Sequence, residues 1–425
     1  MSIANDIIAE SGPHFLLYSD NDVVVCNGKT IQSEIPLNNL CRILNGRVAI
    51  GAFDSDKQAV TGLETLMNLQ PTSQEQWIGL RFAHYFGVDE AHFLGGSYSQ
   101  IRVVLRDKWR VIKQCKRYKH PDKDLRLTAE QDFIATLPTR ARKLFPRLYN
   151  KEQTATDVSY EMEYIPYPTL TELISSGEFD VIELTNMLTH IYDKLFEVLY
   201  TTKTNQSKTI AATRYNDVIK QRLTEIHTSL AEDHFLRAFI EAETITVNDT
   251  EYPGLSKTLL KAQRYLKDKY IPNTHNHGDL IFQDILVNPY TKDFRLIDGN
   301  GDSSGYMYDI AKTLLCLETK YDAIYNHDFT FTYDIGSGAN AFFALTPGIH
   351  YDTLEGMKIG FWEYLKKNED HFFRNIDDWP TLLRVLCGVQ NIAIVMFHAL
   401  HHEEYDRACV FLLSGIVFIN DTITP

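Results

Sequence analysis

The chain has 425 residues, room for two to four folding units at roughly 100–200 residues each. With 44% hydrophobic and 23% charged residues it has the composition of a globular protein with an ample core. A formal net charge of −14 repels phosphate backbones, which argues against nucleic acid as the main partner and suits a neutral or cationic molecule better.

The chain opens MSIANDIIAESGPHF, with acids and no basic apolar run, so a signal peptide is not expected. Apolar runs HFLLY, DVVVC and RVAIGAF then alternate with Asp20-Asn21, Asn27-Gly28 and Asn45-Gly46. Asn-Gly favours tight hairpin turns, so residues 14–53 read as short antiparallel strands. Ser73 and Gln76 resemble a capping box that opens a helix through Trp77, Leu80, Phe82 and Tyr85. Residues 1–88 thus read as a small α+β module with no catalytic signature.

A second strand-rich block begins near Ala91, with FLGGSYSQIRVVL, a turn at Asp107-Lys108, and WRVIKQC. Helical periodicity follows from Leu125 to Leu137, and DVSYEMEYI restores a strand pattern. From Thr171 onward the pattern is helical, interrupted at 272–302 and 332–350. Cys409–Asn420, the longest late apolar run, is shorter than the roughly 20 residues a membrane span needs and reads as a buried helix. No membrane span is expected. Six cysteines, Cys26, Cys41, Cys115, Cys316, Cys387 and Cys409, lack CxxC spacing and read as reduced, buried thiols of a cytoplasmic protein. His398 and His402 have i, i+4 spacing, but Ala399 stands where a zinc-protease helix needs Glu, so a solvated or packed helix face is the expected reading.

The chemistry concentrates in THNHGDLIFQDIL (274–286) and FRLIDGN (294–300). Two short apolar runs flank a turn at Asn288-Pro289, a tight strand pair with Asp279, Asp284 and Asp298 around its ends. Three carboxylates so placed suit magnesium-dependent phosphoryl transfer. One orients an attacking hydroxyl, and the others hold metal on phosphate oxygens.

These segments resemble the catalytic and metal motifs of the aminoglycoside phosphotransferase and choline kinase group, small-molecule relatives of the protein kinases. The resemblance makes Asp279 the catalytic residue and Asp298 the metal-motif Asp, 19 residues on. Asp284 stands where the family usually has Asn, which adds a negative charge while leaving a metal ligand. Tyr308-Asp309-Ile310-Ala311 resembles the family's next helix start, whose Asp is structural. Upstream, Gly95-Gly96-Ser97 resembles the loop over the nucleotide phosphates, and Lys113 resembles the phosphate-pairing Lys. Glu130, 17 residues later, resembles the Glu that pairs with it. Tyr160 to Pro166, including Glu163 and Tyr164, resembles the interlobe hinge that holds the nucleotide base.

The resemblance covers about residues 91–400 and is specific only over 275–312. It implies an α+β, two-lobed, protein-kinase-like fold with the 1–88 module as an N-terminal extension, an N-lobe over 89–170 and a mostly helical C-lobe over 171–425. It implies Mg²⁺, with ATP or GTP as phosphoryl donor. Asp309 follows Asp298 by 11 residues, and no Ala-Pro-Glu follows. That leaves no long activation segment to grip a peptide, so the expected acceptor is a small molecule such as a sugar, aminoglycoside or amino alcohol. A pseudokinase-like nucleotide-binding or assembly module is the alternative, and a protein Ser/Thr kinase a more distant one. The 1–88 extension is expected to pack on the N-lobe or mediate self-association.

Overall fold

The computed structural model describes residues 121–154, 157–165, 167–201, 234–301, 305–336, 338–346, 349–401 and 404–423, a few positions between 219 and 231, and, ahead of these, only the strands given below. The chain divides into two compact units. The first comprises Met1–Gln131 and Pro146–Pro168, the second Asp132–Phe145 and Thr169–Pro425. The protein is mixed helix and sheet.

In the first unit, β1 (Phe15–Tyr18), β2 (Val23–Cys26), β3 (Lys29–Gln32) and β4 (Ala49–Gly51) form a sheet of order β3-β2-β1-β4. β2 and β3 pair antiparallel with Cys26 opposite Lys29, leaving Asn27-Gly28 to connect them. The helix expected from Ser73 lies outside the described residues.

A second sheet holds β5 (Glu90–Phe93), β6 (Gln100–Leu105), β7 (Trp109–Lys116), β8 (Leu148–Gln153) and β9 (Asp157–Glu163) in the order β5-β6-β7-β9-β8, antiparallel throughout. β7 is central, flanked by β6 and β9. Val111, Ile112, Lys113 and Cys115 are all buried there. A central strand covered on both faces loses the simple alternation of a half-buried one, and a charged residue in it needs a partner. Helix α1 (Pro121–Thr136) follows β7.

The second unit is built on helices. α2 (Leu170–Ser176) and α3 (Val181–Val198) both start with capping boxes, Thr169 with Glu172 and Asp180 with Glu183. α2 stops at Gly177, whose φ of 65° is the left-handed cap that glycine accepts most readily. After α4 (Phe235–Glu241) come β10 (Thr244–Val247), β11 (Thr250–Pro253) and α5 (Leu255–Leu266). The hairpin of β12 (Ile285–Val287) and β13 (Phe294–Leu296) precedes α6 (Tyr306–Glu318). β14 (Phe329–Asp334), β15 (Ala339–Leu345), α7 (Ile349–Lys367), α8 (Trp379–Met396) and α9 (Tyr405–Thr422) complete the unit. α6 lies at the centre. It is buried at nearly every position from Tyr306 to Leu317 and packs on α7 and α8, while α8 packs on α9.

The sequence reading placed no strands in 244–253, yet β10 and β11 form a hairpin there. With β14 and β15 they make a sheet of order β11-β10-β15-β14, β10 running parallel to β15. The turn residues Asn248 and Asp249 have φ of 49° and 64°, the left-handed pair that a two-residue hairpin needs.

Trp379–Leu400 is the one helical stretch among the described residues long and apolar enough to cross a membrane, and 72% of its most apolar window is buried in the protein. It is longer than the Cys409–Asn420 run singled out by composition, which falls within α9. Burial on neighbouring helices accounts for the apolar character of both.

α8 and α9 approach at paired glycines. A Cβ on Gly415 would stand 2.7 Å from Ile392 Cγ1 and 2.8 Å from the Gly388 carbonyl oxygen. Gly415→Val is therefore expected to destabilise the protein by about 1–3 kcal/mol through overpacking. A lower denaturant midpoint with an unchanged slope checks it.

Candidate functional site

The second unit brings two loops together. One is the His277-Gly278-Asp279 turn, which leads into a short 3₁₀ turn, Phe282–Asp284, and then β12. The other is Ile297–Gly301, which follows β13. The β12–β13 pairing sets both in register, with Ile285 opposite Leu296 and Val287 opposite Phe294, all four buried. The Ile297 N–H donates to the Asp284 carbonyl at 3.0 Å.

His277 joins the loops. Its carbonyl accepts from the Asn300 N–H (2.9 Å) and the Gly301 N–H (3.0 Å). Its Nε2 lies 2.7 Å from the Ile297 carbonyl, and its Nδ1 accepts from the Asp279 N–H at 3.3 Å. That pattern assigns a neutral ring with the proton on Nε2. Burial, which pushes the imidazole pKa below its ordinary value, agrees. His277 is thus a scaffold residue. Phe145 stacks on it at 6.0 Å, and Phe133 meets Phe145 edge-on at 5.5 Å. Gly299 fits only because it lacks a Cβ, which would come within 3.0 Å of the Phe133 ring and 2.9 Å of the Phe145 ring.

The start of α6 grips the first loop residue by residue. The Asp309 carboxylate accepts the N–H of His277 (2.6 Å) and of Gly278 (2.8 Å). Lys312 Nζ lies 2.8 Å from Asp279 Oδ1. The Thr313 hydroxyl lies 3.4 Å from the Leu280 carbonyl and accepts from the Tyr192 hydroxyl at 2.7 Å. Positions 309, 312 and 313 share one helix face, so one helix turn addresses four consecutive loop residues. α6 itself is pinned at its first residue, where the Tyr306 N–H donates to the Thr274 hydroxyl at 3.0 Å.

The expected carboxylates therefore fall at one end of one hairpin. Asp279 is half-buried and its side chain is 44% exposed, so it can meet an incoming molecule. Asp284 is half-buried and ends the 3₁₀ turn. Asp298 is exposed and has φ of 62°, a left-handed conformation uncommon outside glycine, though aspartate tolerates it better than most residues. Backbone held in that region recurs at ligand-binding sites.

In the first unit, Lys113 Nζ donates to both carboxylate oxygens of Glu130, at 3.0 and 3.2 Å. The side chains are 3% and 11% exposed. Glu163 ends β9. Its N–H donates to the Arg147 carbonyl (2.8 Å), and its carboxylate accepts the Arg147 N–H (3.1 Å). Tyr164 follows, half-buried. Gly95, Gly96 and Ser97 lie outside the described residues.

Among the described residues, no group of three or more His, Cys, Asp or Glu converges to hold a metal ion through protein ligands alone. The donor chemistry of Asp284 and Asp298 still fits magnesium, a hard cation commonly held by one or two carboxylates with water and substrate phosphate completing its shell. His398 is fully buried, stacks on Phe411 at 4.9 Å and lies 3.3 Å from Glu404, as a packed helix residue would.

Lys312 was absent from the sequence reading. Its signal is a lone charge in the apolar run Ile310-Ala311-Lys312-Thr313-Leu314-Leu315, three residues after the helix-start Asp. The chain matches no protein-family model and no curated protein.

Asp309→Ala would leave two buried N–H donors unpaired, an expected cost of about 2–6 kcal/mol at about 1–3 each. Asp309 also predicts a pH dependence. Burial outweighs the lowering effect of its backbone and side-chain hydrogen-bond donors and raises its pKa from the ordinary 3.8 to about 7. The folded state then keeps a proton that the unfolded chain has released. This contribution is full below about pH 4 and is lost as pH rises through about 7. Denaturant midpoints at pH 5 and pH 8 should show wild type losing stability relative to Asp309→Asn as pH rises.

Proposed function

We propose that this protein transfers the terminal phosphoryl group of ATP or GTP to a hydroxyl of a small molecule, on a two-lobed, kinase-like framework. The observation that carries this reading is the arrangement at the hairpin end. Asp279 is half exposed and fixed by α6, and the loop bearing Asp298 is bonded to the same turn through His277. A reaction of this kind asks little covalent chemistry of the protein and depends on positioning and charge.

In this reading Asp279 orients the acceptor hydroxyl and takes its proton. Asp298 and Asp284 would hold magnesium, which neutralises charge on the nucleotide phosphates. Lys113, kept in place by Glu130, supplies a cation for phosphate oxygens. A buried ion pair of this sort is poor evidence of stability, because desolvation consumes much of the attraction, so a binding role gives it a better reason to exist. The acidic chain favours a neutral or amine-bearing acceptor, such as a sugar, aminoglycoside or amino alcohol.

The test offers radiolabelled nucleotide to a small-molecule panel and to protein substrates in parallel. Asp279→Asn is expected to lower turnover by about 10²–10⁴ and leave nucleotide binding intact. Labelling of protein Ser, Thr or Tyr with no small acceptor modified would refute the acceptor class.

Calorimetry supplies a second check. Asp298→Ala is expected to abolish magnesium-dependent nucleotide binding, and Lys113→Ala to weaken binding with or without the metal. Asp284→Asn should be tolerated, since an amide oxygen still serves as a ligand. Magnesium–nucleotide binding by wild type with no turnover on any acceptor would mark a nucleotide-binding module instead.

A further inference from the structure

We propose that Lys312 is a positioning residue for phosphoryl transfer, its ammonium fixing the orientation of the Asp279 carboxylate against the acceptor hydroxyl. This rests on the phosphotransferase reading above and adds to it a residue on a different element from the catalytic loop.

Three observations carry it. Lys312 Nζ is 2.8 Å from Asp279 Oδ1, with the lysine side chain 7% exposed. Lys312 also shares its helix face with Asp309 and Thr313, whose contacts with residues 277, 278 and 280 leave residue 279 as the one Lys312 addresses. Finally, its neighbours along α6, from Ile310 to Leu315, are buried and almost all apolar. Packing alone does not explain a lysine there. An unbranched apolar residue of similar length would fill the space without the cost of burying a charge. Asp279, being partly exposed, could be solvated without this partner. What the ammonium adds is a fixed carboxylate.

In the transfer step the acceptor oxygen bonds to the terminal phosphorus as the bond from that phosphorus to its bridging oxygen breaks. The nucleoside diphosphate leaves with the bonding electron pair, and the hydroxyl proton passes to Asp279. Lys312 stays protonated and takes part in no bond change. Its charge, 2.8 Å from one carboxylate oxygen, favours one orientation of the group that must meet the hydroxyl. Outer residues that orient a reacting group are typically worth about 10- to 100-fold.

The experiment compares full-length wild type, Lys312→Met, Lys312→Arg, Asp279→Asn and the Lys312→Met/Asp279→Asn double variant. The assay uses radiolabelled ATP and GTP with magnesium, and ethanolamine, choline, glucose, kanamycin or water as acceptor. Lys312→Met should lower kcat by about 10- to 100-fold with both KM values within about threefold of wild type. Lys312→Arg, which keeps the charge, should recover most of the loss. The double variant should be no more than about threefold slower than Asp279→Asn, because Lys312 acts through the residue already removed. If Lys312→Met does not fold, Lys312→Gln takes its place in each comparison.

Near-normal kcat in Lys312→Met beside a crippled Asp279→Asn overturns the proposal and leaves the phosphotransferase reading standing. So does a faster Lys312→Met, which would make the pair a restraint. Multiplying losses in the double variant overturn it too, since they mark a role independent of Asp279. No Asp279-dependent labelling of any acceptor overturns the phosphotransferase reading and this proposal together.

Discussion

Two backbone N–H groups of the His277-Gly278 turn converge on one carboxylate, that of Asp309, at 2.6 and 2.8 Å. The rest of the site depends on this. A tight turn carrying polar backbone away from any ladder must find acceptors, and a buried carboxylate offers two at once. Because Asp309 stands in the first turn of a helix embedded in the core, the turn inherits the rigidity of that core. The chain that enters α6 is held as well, with Gly305 so close to the Pro272 carbonyl that a Cβ there would collide with it.

The same arrangement shows how a loop can be precise without being a regular element. Asp279, Asp284 and Asp298 lie on turns, yet every turn is tied to something stiff. Asp279 is tied to α6, Asp284 to β12, and the loop around Asp298 to His277 and the Phe133–Phe145 ring pair. The His277 ring and backbone are matched by hydrogen bonds, and the Phe145 ring stacks against the imidazole. Charge is placed sparingly. Lys113 and Lys312 each sit buried opposite one carboxylate in surroundings that would otherwise favour apolar side chains.

Much of this was legible in the sequence where local rules act alone. Asn27-Gly28 marked a hairpin, and alternating Val, Tyr and Met marked β9. Asn288-Pro289 marked the turn that brings β12 against β13. The spacing of Asp279, Asp298 and Asp309 placed them around one hairpin and one helix start. Two things stayed hidden. β10 and β11 were overlooked because they are short and flanked by helices, and because β10's parallel partner, β15, arrives some ninety residues later. Lys312 was overlooked because a lysine in a helix normally reads as surface, and only the helix phase relative to Asp309 shows that it faces inward. Both are tertiary facts, set by what each segment meets and not by its own residues.

The discontinuity of the first unit has a consequence during synthesis. β7 owes one edge to β6, made just before it, and the other to β9, which begins about forty residues after β7 ends, beyond a stretch that belongs to the second unit. At roughly 5–20 residues per second, that second edge stays unpaired for about 2–8 seconds as the chain emerges from the ribosome. A strand reading Trp-Arg-Val-Ile-Lys-Gln-Cys-Lys would be a template for association if it were wholly apolar. Arg110, Lys113 and Lys116 spread positive charge along it during that interval, as charges on exposed edges do in other sheets. Lys113, paired with Glu130 in the finished protein, thus has earlier work as a guard on an open strand.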